Sequence, residues 1–181
     1  MTAAPARNAS RWFLSTVVLA GCVATGGAAV AARGHGPPPT GLRTVAFDKA
    51  PPDFGFALDG DEERLSGLVG KPVVLNFWAT WCHPCLDEIG AFANLQSTYG
   101  DAVGLVTLSA EPAGTARAYL KAHHIDLPLV EDPEKKIFGA YSVGPIPVTI
   151  VLRRNGTVAD VVIGELKWEE LKAAVDAQLG A

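Results

Sequence analysis

The hydrophobic pattern changes period along this chain, and each change marks an expected element. Pro72-Val73-Val74-Leu75-Asn76-Phe77-Trp78 is a short apolar run rich in β-branched and aromatic residues, the pattern of a strand buried on both faces. Over residues 85–99 the period lengthens. Ile89, Phe92, Ala93 and Leu95 recur at helical spacing, and Gly100 ends the pattern. Residues 102–108 predict a second apolar strand, and residues 115–123 a helix with Ala116, Tyr119 and Leu120 on one face. Residues 127–130 predict a short edge strand, and residues 134–141 a short helix behind Pro133. Val148–Leu152 and residues 157–163 flank Arg153-Arg154-Asn155-Gly156 as a hairpin, since Asn-Gly suits a tight turn with positive backbone angles. Residues 167–179 close the chain as a helix with Leu171, Ala174, Val175 and Leu179 on one face. Helices interleaved with apolar strands, then a hairpin, predict an α/β fold in three layers around a mixed sheet.

The first 33 residues follow a different rule. Residues 12–32 form a run of 21 without a charge, 15 of them apolar. As a helix this run would be roughly 31 Å long, about the hydrocarbon thickness of a bilayer. It lies behind a basic stretch at the N-terminus, so residues 1–33 read as an export or anchoring segment and are set apart from the fold. Residues 34–41 contain Pro37-Pro38-Pro39, which favours an extended, semi-rigid tether; His35 belongs to it as a solvated residue. The globular domain is expected over residues 42–181.

Charge divides at the same boundary. The whole chain carries 15 Lys+Arg and 19 Asp+Glu, a net −4. Residues 1–33 hold Arg7, Arg11 and Arg33 and no acid, which leaves 12 bases against 19 acids, or −7, for the rest. Such a domain lacks the clustered positive charge of a nucleic-acid binder. Of the three cysteines, Cys22 lies in the leader, where Leu19-Ala20-Gly21-Cys22 is similar to a bacterial lipobox with Cys22 as the lipidated residue. Ala29-Val30-Ala31 also fits a signal-peptidase site, and an uncleaved anchor oriented by Arg7 and Arg11 is the third reading. All three place the domain outside the cytoplasm.

The chemistry concentrates at the junction of the first buried strand and the first long helix, in Trp81-Cys82-His83-Pro84-Cys85. Cys82 would lie at the helix N-terminus, where free N–H groups and the helix dipole stabilise a thiolate. Cys85, one turn further, is close enough to form a disulfide with it. Pro84 suits the first turn, where no N–H is needed. A thiolate so placed attacks a partner disulfide, and the second thiol resolves the mixed disulfide. A structural zinc half-site or two inert buried thiols are the competing readings; no second Cys-x-x-Cys or His-x-His completes a four-ligand zinc site.

These residues resemble the TlpA/ResA-like extracytoplasmic thioredoxins, over nearly the whole globular part. Ala50-Pro51-Pro52-Asp53-Phe54, Asp59-Gly60 and Leu65-Ser66-Gly67-Leu68 are similar to that family's lead-in and added N-terminal hairpin. Gly70-Lys71-Pro72 and Phe77-Trp78-Ala79-Thr80-Trp81-Cys82 resemble its signature, and Tyr141-Ser142-Val143-Gly144-Pro145-Ile146-Pro147 resembles the approach to its cis-proline. The resemblance implies a thioredoxin fold, a central mixed sheet flanked by helices, with an added N-terminal β-hairpin. It also implies a thiol-disulfide oxidoreductase with no cofactor beyond a redox-active Cys82–Cys85 disulfide. The implied partners are client proteins with thiols or disulfides, apocytochrome c among them, and a membrane electron donor, since a reductant in an oxidising compartment needs an external supply.

The same resemblance distributes roles. Asn76 stands where cytoplasmic thioredoxins carry a buried proton-shuttling Asp, work that a neutral amide cannot do. Glu88, one helical turn beyond Cys85, is the expected proton acceptor during resolution, whereas Asp87 points away to the surface. His83 between the cysteines is the tuning position, with Trp81 and Pro84 beside it; in its protonated form it would favour the Cys82 thiolate. Pro147 is the expected cis-proline, with Pro145 as its rival, exposing the Ile146 backbone to an extended client segment. Gly90 replaces a proline common among relatives, which puts the usual kink of that helix in question. His123 and His124 are expected to cap a helix C-terminus. Two other functions stay open at this point. A thiol peroxidase would want Pro and Thr where Leu75 and Ala79 stand, and a copper carrier would want a distal His or Met ligand, yet Met1 is the single methionine.

Overall fold

The computed structural model of the chain describes residues 49–58 and 61–180. The expected leader, the tether, Cys22 and the first residues of the expected domain lie outside the described residues. No helix among the described residues is long and apolar enough to cross a membrane.

Among the described residues, seven strands and four α-helices follow in the order β1 Gly55–Leu58, β2 Asp61–Arg64, β3 Val73–Trp78, α1 His83–Tyr99, β4 Gly104–Ser109, α2 Thr115–Ala122, β5 Leu129–Glu131, α3 Lys136–Ala140, β6 Val148–Leu152, β7 Val158–Ile163 and α4 Trp168–Leu179. β1 and β2 form a separate antiparallel hairpin. The other five strands make a mixed sheet in the order β5-β4-β3-β6-β7, with β3, β4 and β5 parallel and β6 and β7 antiparallel to their neighbours.

β3 lies at the centre, and all six of its residues are buried. Because side chains alternate across a strand, Val74 and Trp78 enter one core layer and Val73, Leu75 and Phe77 the other. The first layer is roofed by α1, α2 and α4 through Ile89, Phe92, Leu95, Ala116, Leu120, Leu171 and Val175. The second is covered by Phe54, Phe56, Leu65 and Phe138 of the lead-in, the hairpin region and α3. Three layers around a mixed sheet, with an added N-terminal hairpin, match the expected architecture.

Several boundaries move, each for a local reason. α1 begins at His83, because Cys82 takes the N-cap position. β4 starts at Gly104, since Gly100–Ala102 winds into a 3₁₀ turn. α3 shortens to five residues, because the Asp132 carboxylate accepts the N–H groups of Lys136, Ile137 and Phe138 at 2.8–2.9 Å and fixes where the helix starts. The β6–β7 connection also departs from the expectation of positive angles at Asn-Gly. Only Gly156 is left-handed, at φ 81°, and its N–H donates to Arg153 O at 2.8 Å. Asn155 instead uses Oδ1 to accept from the N–H and hydroxyl of Thr157. The C-terminus of α2 is capped through the backbone of His123, whose ring stacks on Tyr119 at 4.2 Å, with His124 left-handed at φ 55°.

Candidate active site

β3 delivers the chain to the carboxyl edge of the sheet, and four residues carry it over to α1. Cys82 caps the helix with extended backbone, and its Sγ accepts the N–H of Cys85 at 3.3 Å. The two cysteines are joined by a disulfide, with Cα atoms 5.2 Å apart. Both are buried, Cys85 at 1% exposure and Cys82 at 5%. Trp81 is 73% exposed beside them, and His83 and Pro84 are exposed in the first turn.

Glu88 lies three residues beyond Cys85 on the same helix and is only 2% exposed. A carboxyl group in such a place needs partners, and it has two. Asn76 Nδ2 donates to Oε1 at 2.8 Å, and the Leu166 N–H donates to Oε2 at 2.8 Å. Burial outweighs these bonds, and the Glu88 carboxyl is pushed up to about 7, the nearby Glu165 charge acting in the same direction. Asp87 is exposed, as expected. α1 runs unbroken past Gly90, which faces open space.

The loop before Cys82 is held by a residue that sequence reasoning missed. Glu111, 8% exposed, accepts the Thr80 N–H at 2.9 Å, the Thr80 hydroxyl at 2.6 Å and the Ser109 hydroxyl at 3.0 Å. Its place just after a buried strand, in Ser109-Ala110-Glu111-Pro112, was the available signal; the partner 31 residues upstream was not. Trp78, 1% exposed, has an indole N–H without a hydrogen-bond partner among the described residues, and its ring meets Tyr119 edge-on.

The Ile146–Pro147 peptide bond is cis, and Pro147 rather than Pro145 has this geometry. Val148, the next residue, is paired with Phe77, so Pro147 lies at the same edge of the sheet as the loop to Cys82. Pro147 O accepts the Gly164 N–H at 2.9 Å, while the Ile146 backbone makes no hydrogen bond among the described residues. Among the described residues, no group of three or more His, Cys, Asp or Glu side chains is arranged to hold a metal ion.

Residues 47–161 match the AhpC/TSA family. The chain is 32% identical over 136 residues to the thiol-disulfide oxidoreductase ResA of Geobacillus thermodenitrificans, covering 74% of this chain and 78% of that protein. The chain belongs to the AhpC/TSA family, with its ResA-type thiol-disulfide oxidoreductases. ResA of Bacillus cereus is 35% identical over 131 residues, 71% of this chain and 76% of that protein. Among solved structures, a thiol:disulfide interchange protein of the thioredoxin family from Chlorobium tepidum superposes with a TM-score of 0.65 at 27% identity, covering 75% of this chain and 99% of that one. This ResA-type chain is thus a thioredoxin-fold thiol-disulfide oxidoreductase with a paired Cys82 and Cys85.

Proposed function

We propose that the protein works as a membrane-tethered reductant of disulfides in client proteins outside the cytoplasm. The observation that carries the reading is the stacking of roles along the first two turns of α1, with Cys82 at the cap, Cys85 buried behind it and a buried acid, Glu88, about one turn deeper.

In the reduced form the Cys82 thiolate, stabilised by the Cys85 N–H and the first turn of α1, attacks a client disulfide. A Cys82–client bond forms, the client's own S–S bond breaks and one client thiolate leaves. The Glu88 carboxylate takes the Cys85 proton. The Cys85 thiolate then attacks Cys82 Sγ, which closes the Cys82–Cys85 disulfide and releases the second client thiolate. Two electrons pass to the client, and the proton on Glu88 is free to return to a leaving thiolate. A membrane dithiol donor restores the reduced pair. Ile146 offers its unpaired backbone to the extended client segment beside Cys82, Trp81 adds an exposed apolar contact, and His83 tunes the pair.

The compartment and tether rest on residues 1–41, whose basic start, uncharged run and Cys22 support a lipidated or retained anchor. Apocytochrome c as a client rests on the resemblance to TlpA/ResA-like proteins. A trapping experiment tests the core of this reading. Cys85→Ala, expressed with its own leader, is expected to accumulate mixed disulfides with extracytoplasmic proteins, and Cys82→Ala is not. If neither variant traps a protein, or both trap equally, the assigned order of attack fails. A reduction potential less negative than those of its trapped clients would overturn the direction of electron flow.

A further inference from the structure

Three polar side chains lie in one register row across the α1 face of the sheet. Asn76 of β3 is paired with Thr107 of β4 on one side and Thr149 of β6 on the other. All three are buried, at 2% exposure or less, against a largely apolar layer. Such groups cost stability unless each finds a partner. Thr107 donates its hydroxyl to Pro128 O at 2.7 Å and is thereby engaged elsewhere. Asn76 has two amide hydrogens, and Nδ2 meets two acceptors, Glu88 Oε1 at 2.8 Å and Thr149 Oγ1 at 3.2 Å.

The orientation of that amide matters for the acid. With its NH₂ toward Glu88, Asn76 donates to the carboxylate and favours the ionised form. With its carbonyl there, it would bond only to the protonated acid. In the structure the first orientation is present, and Thr149 Oγ1 accepts the amide's second N–H in it. We propose that Thr149 is a positioning residue for proton transfer at Glu88, acting through Asn76 to keep an N–H donor on the carboxylate. The inference rests on Glu88 being the acceptor of the Cys85 proton. It also joins two parts of the reaction in one strand, since β6 starts just after Pro147 and carries Thr149 two residues later.

The groups around Glu88 leave few other sources of such control. The loop between β7 and α4 contributes the Leu166 N–H and the charge of Glu165. α1 contributes the two cysteines, and the α4 residues in the same core, Leu171 and Val175, are apolar. β3 and β6 contribute the neutral Asn76 and Thr149.

The test uses the full chain in detergent and two readouts. One is the carboxyl ¹³C titration of Glu88 in the oxidised protein. The other is the pH profile of the resolving step, measured on a Cys82-linked peptide mixed disulfide. In Thr149→Val, one buried N–H of Asn76 loses its acceptor, and both midpoints are expected to rise by about half a unit or more. Thr149→Ser keeps the hydroxyl and is expected to restore the wild-type midpoint, which loss of packing alone would not do. Unchanged midpoints in Thr149→Val, in a protein where Glu88→Gln abolishes the profile, would overturn the role of Thr149 and leave Glu88 as the acceptor. A profile that survives Glu88→Gln would overturn both. Equal shifts in the Val and Ser variants would also overturn the proposal, because the hydroxyl would then not be what acts.

Discussion

Asn76 and Glu88, twelve residues apart on β3 and α1, meet in a 2.8 Å hydrogen bond inside the core, with the amide donating to the carboxylate. The contact joins the strand that delivers the active-site loop to the helix that carries both cysteines. It lies where the alternation of β3 turns one polar side chain toward α1, between Val74 and Trp78. A neutral amide cannot shuttle a proton, but as a donor it favours the ionised form of the acid it meets. The buried acid stands on the helix, and the strand supplies its partner.

Replacing that amide with an acid gives the first expectation. In Asn76→Asp, two carboxyl groups would share a buried site at hydrogen-bond distance, and such a pair holds one proton jointly. The upper apparent pKa of the pair should rise above the value of about 7 that Glu88 has with Asn76 beside it. The resolving step should then peak at higher pH, and the folded protein should weaken in alkaline buffer. Carboxyl NMR of the oxidised variant checks this, and two ordinary carboxylate midpoints would refute it.

Glu88 also ties stability to pH, with a definite sign. Its folded value of about 7 lies above the ordinary 4.5, so the native state binds more protons than the unfolded chain between those two values. This group therefore favours the fold fully below about pH 4.5, progressively less as pH rises, and no longer above about pH 7. Urea unfolding of the oxidised protein should show the stability of wild type relative to Glu88→Gln falling across that window and flat on either side. A constant difference would mean that the acid titrates alike in both states.

Glu111 is expected to control the loop rather than the chemistry. Its carboxylate gathers three donors from Thr80 and Ser109, and hydrogen bonds to a charged group are worth more than neutral ones. Glu111→Ala leaves a part-buried backbone N–H and two hydroxyls without their acceptor and should cost about 2–4 kcal/mol. Thr80→Val keeps the backbone bond and should cost about 1 kcal/mol. The two losses should fall short of additivity in a double-mutant cycle, because they share one interaction. Full additivity would show that Thr80 and Glu111 act independently.

The junction of β3 and α1 could be read from the sequence because all its signals are local. A buried apolar run, a Cys-x-x-Cys, a proline in the first turn and a helical period follow within about twenty-five residues. The network around Glu88 is different. Asn76 stands out as the polar residue in an apolar run, but Thr149 is 73 residues away and Leu166 is 78 residues from Glu88. Only the pairing of β3 with β6 and the return of α4 bring them together. Asp132 escaped notice for the opposite reason: its carboxylate competes locally with helical periodicity and cuts α3 to five residues where residues 134–141 are expected. The Asn-Gly turn misled because a single left-handed glycine suffices when the asparagine side chain closes the loop.

His83 supplies the last expectation, and it concerns redox poise. It is the first residue of α1, exposed and next to Cys82 in sequence. In its protonated form it places positive charge beside the sulfur that must be a thiolate, which stabilises the reduced pair. A more stable dithiol means a more oxidising disulfide. Replacing His83 with Gly should therefore make the reduction potential of Cys82–Cys85 more negative, where about 30 mV is a tenfold change in the exchange equilibrium. Glutathione titrations of wild type, His83→Gly and His83→Asn decide the matter. Both variants lack the imidazolium charge and should shift alike, whereas a shift in the Gly variant alone would assign the difference to backbone freedom at the helix start, since glycine loosens the first turn.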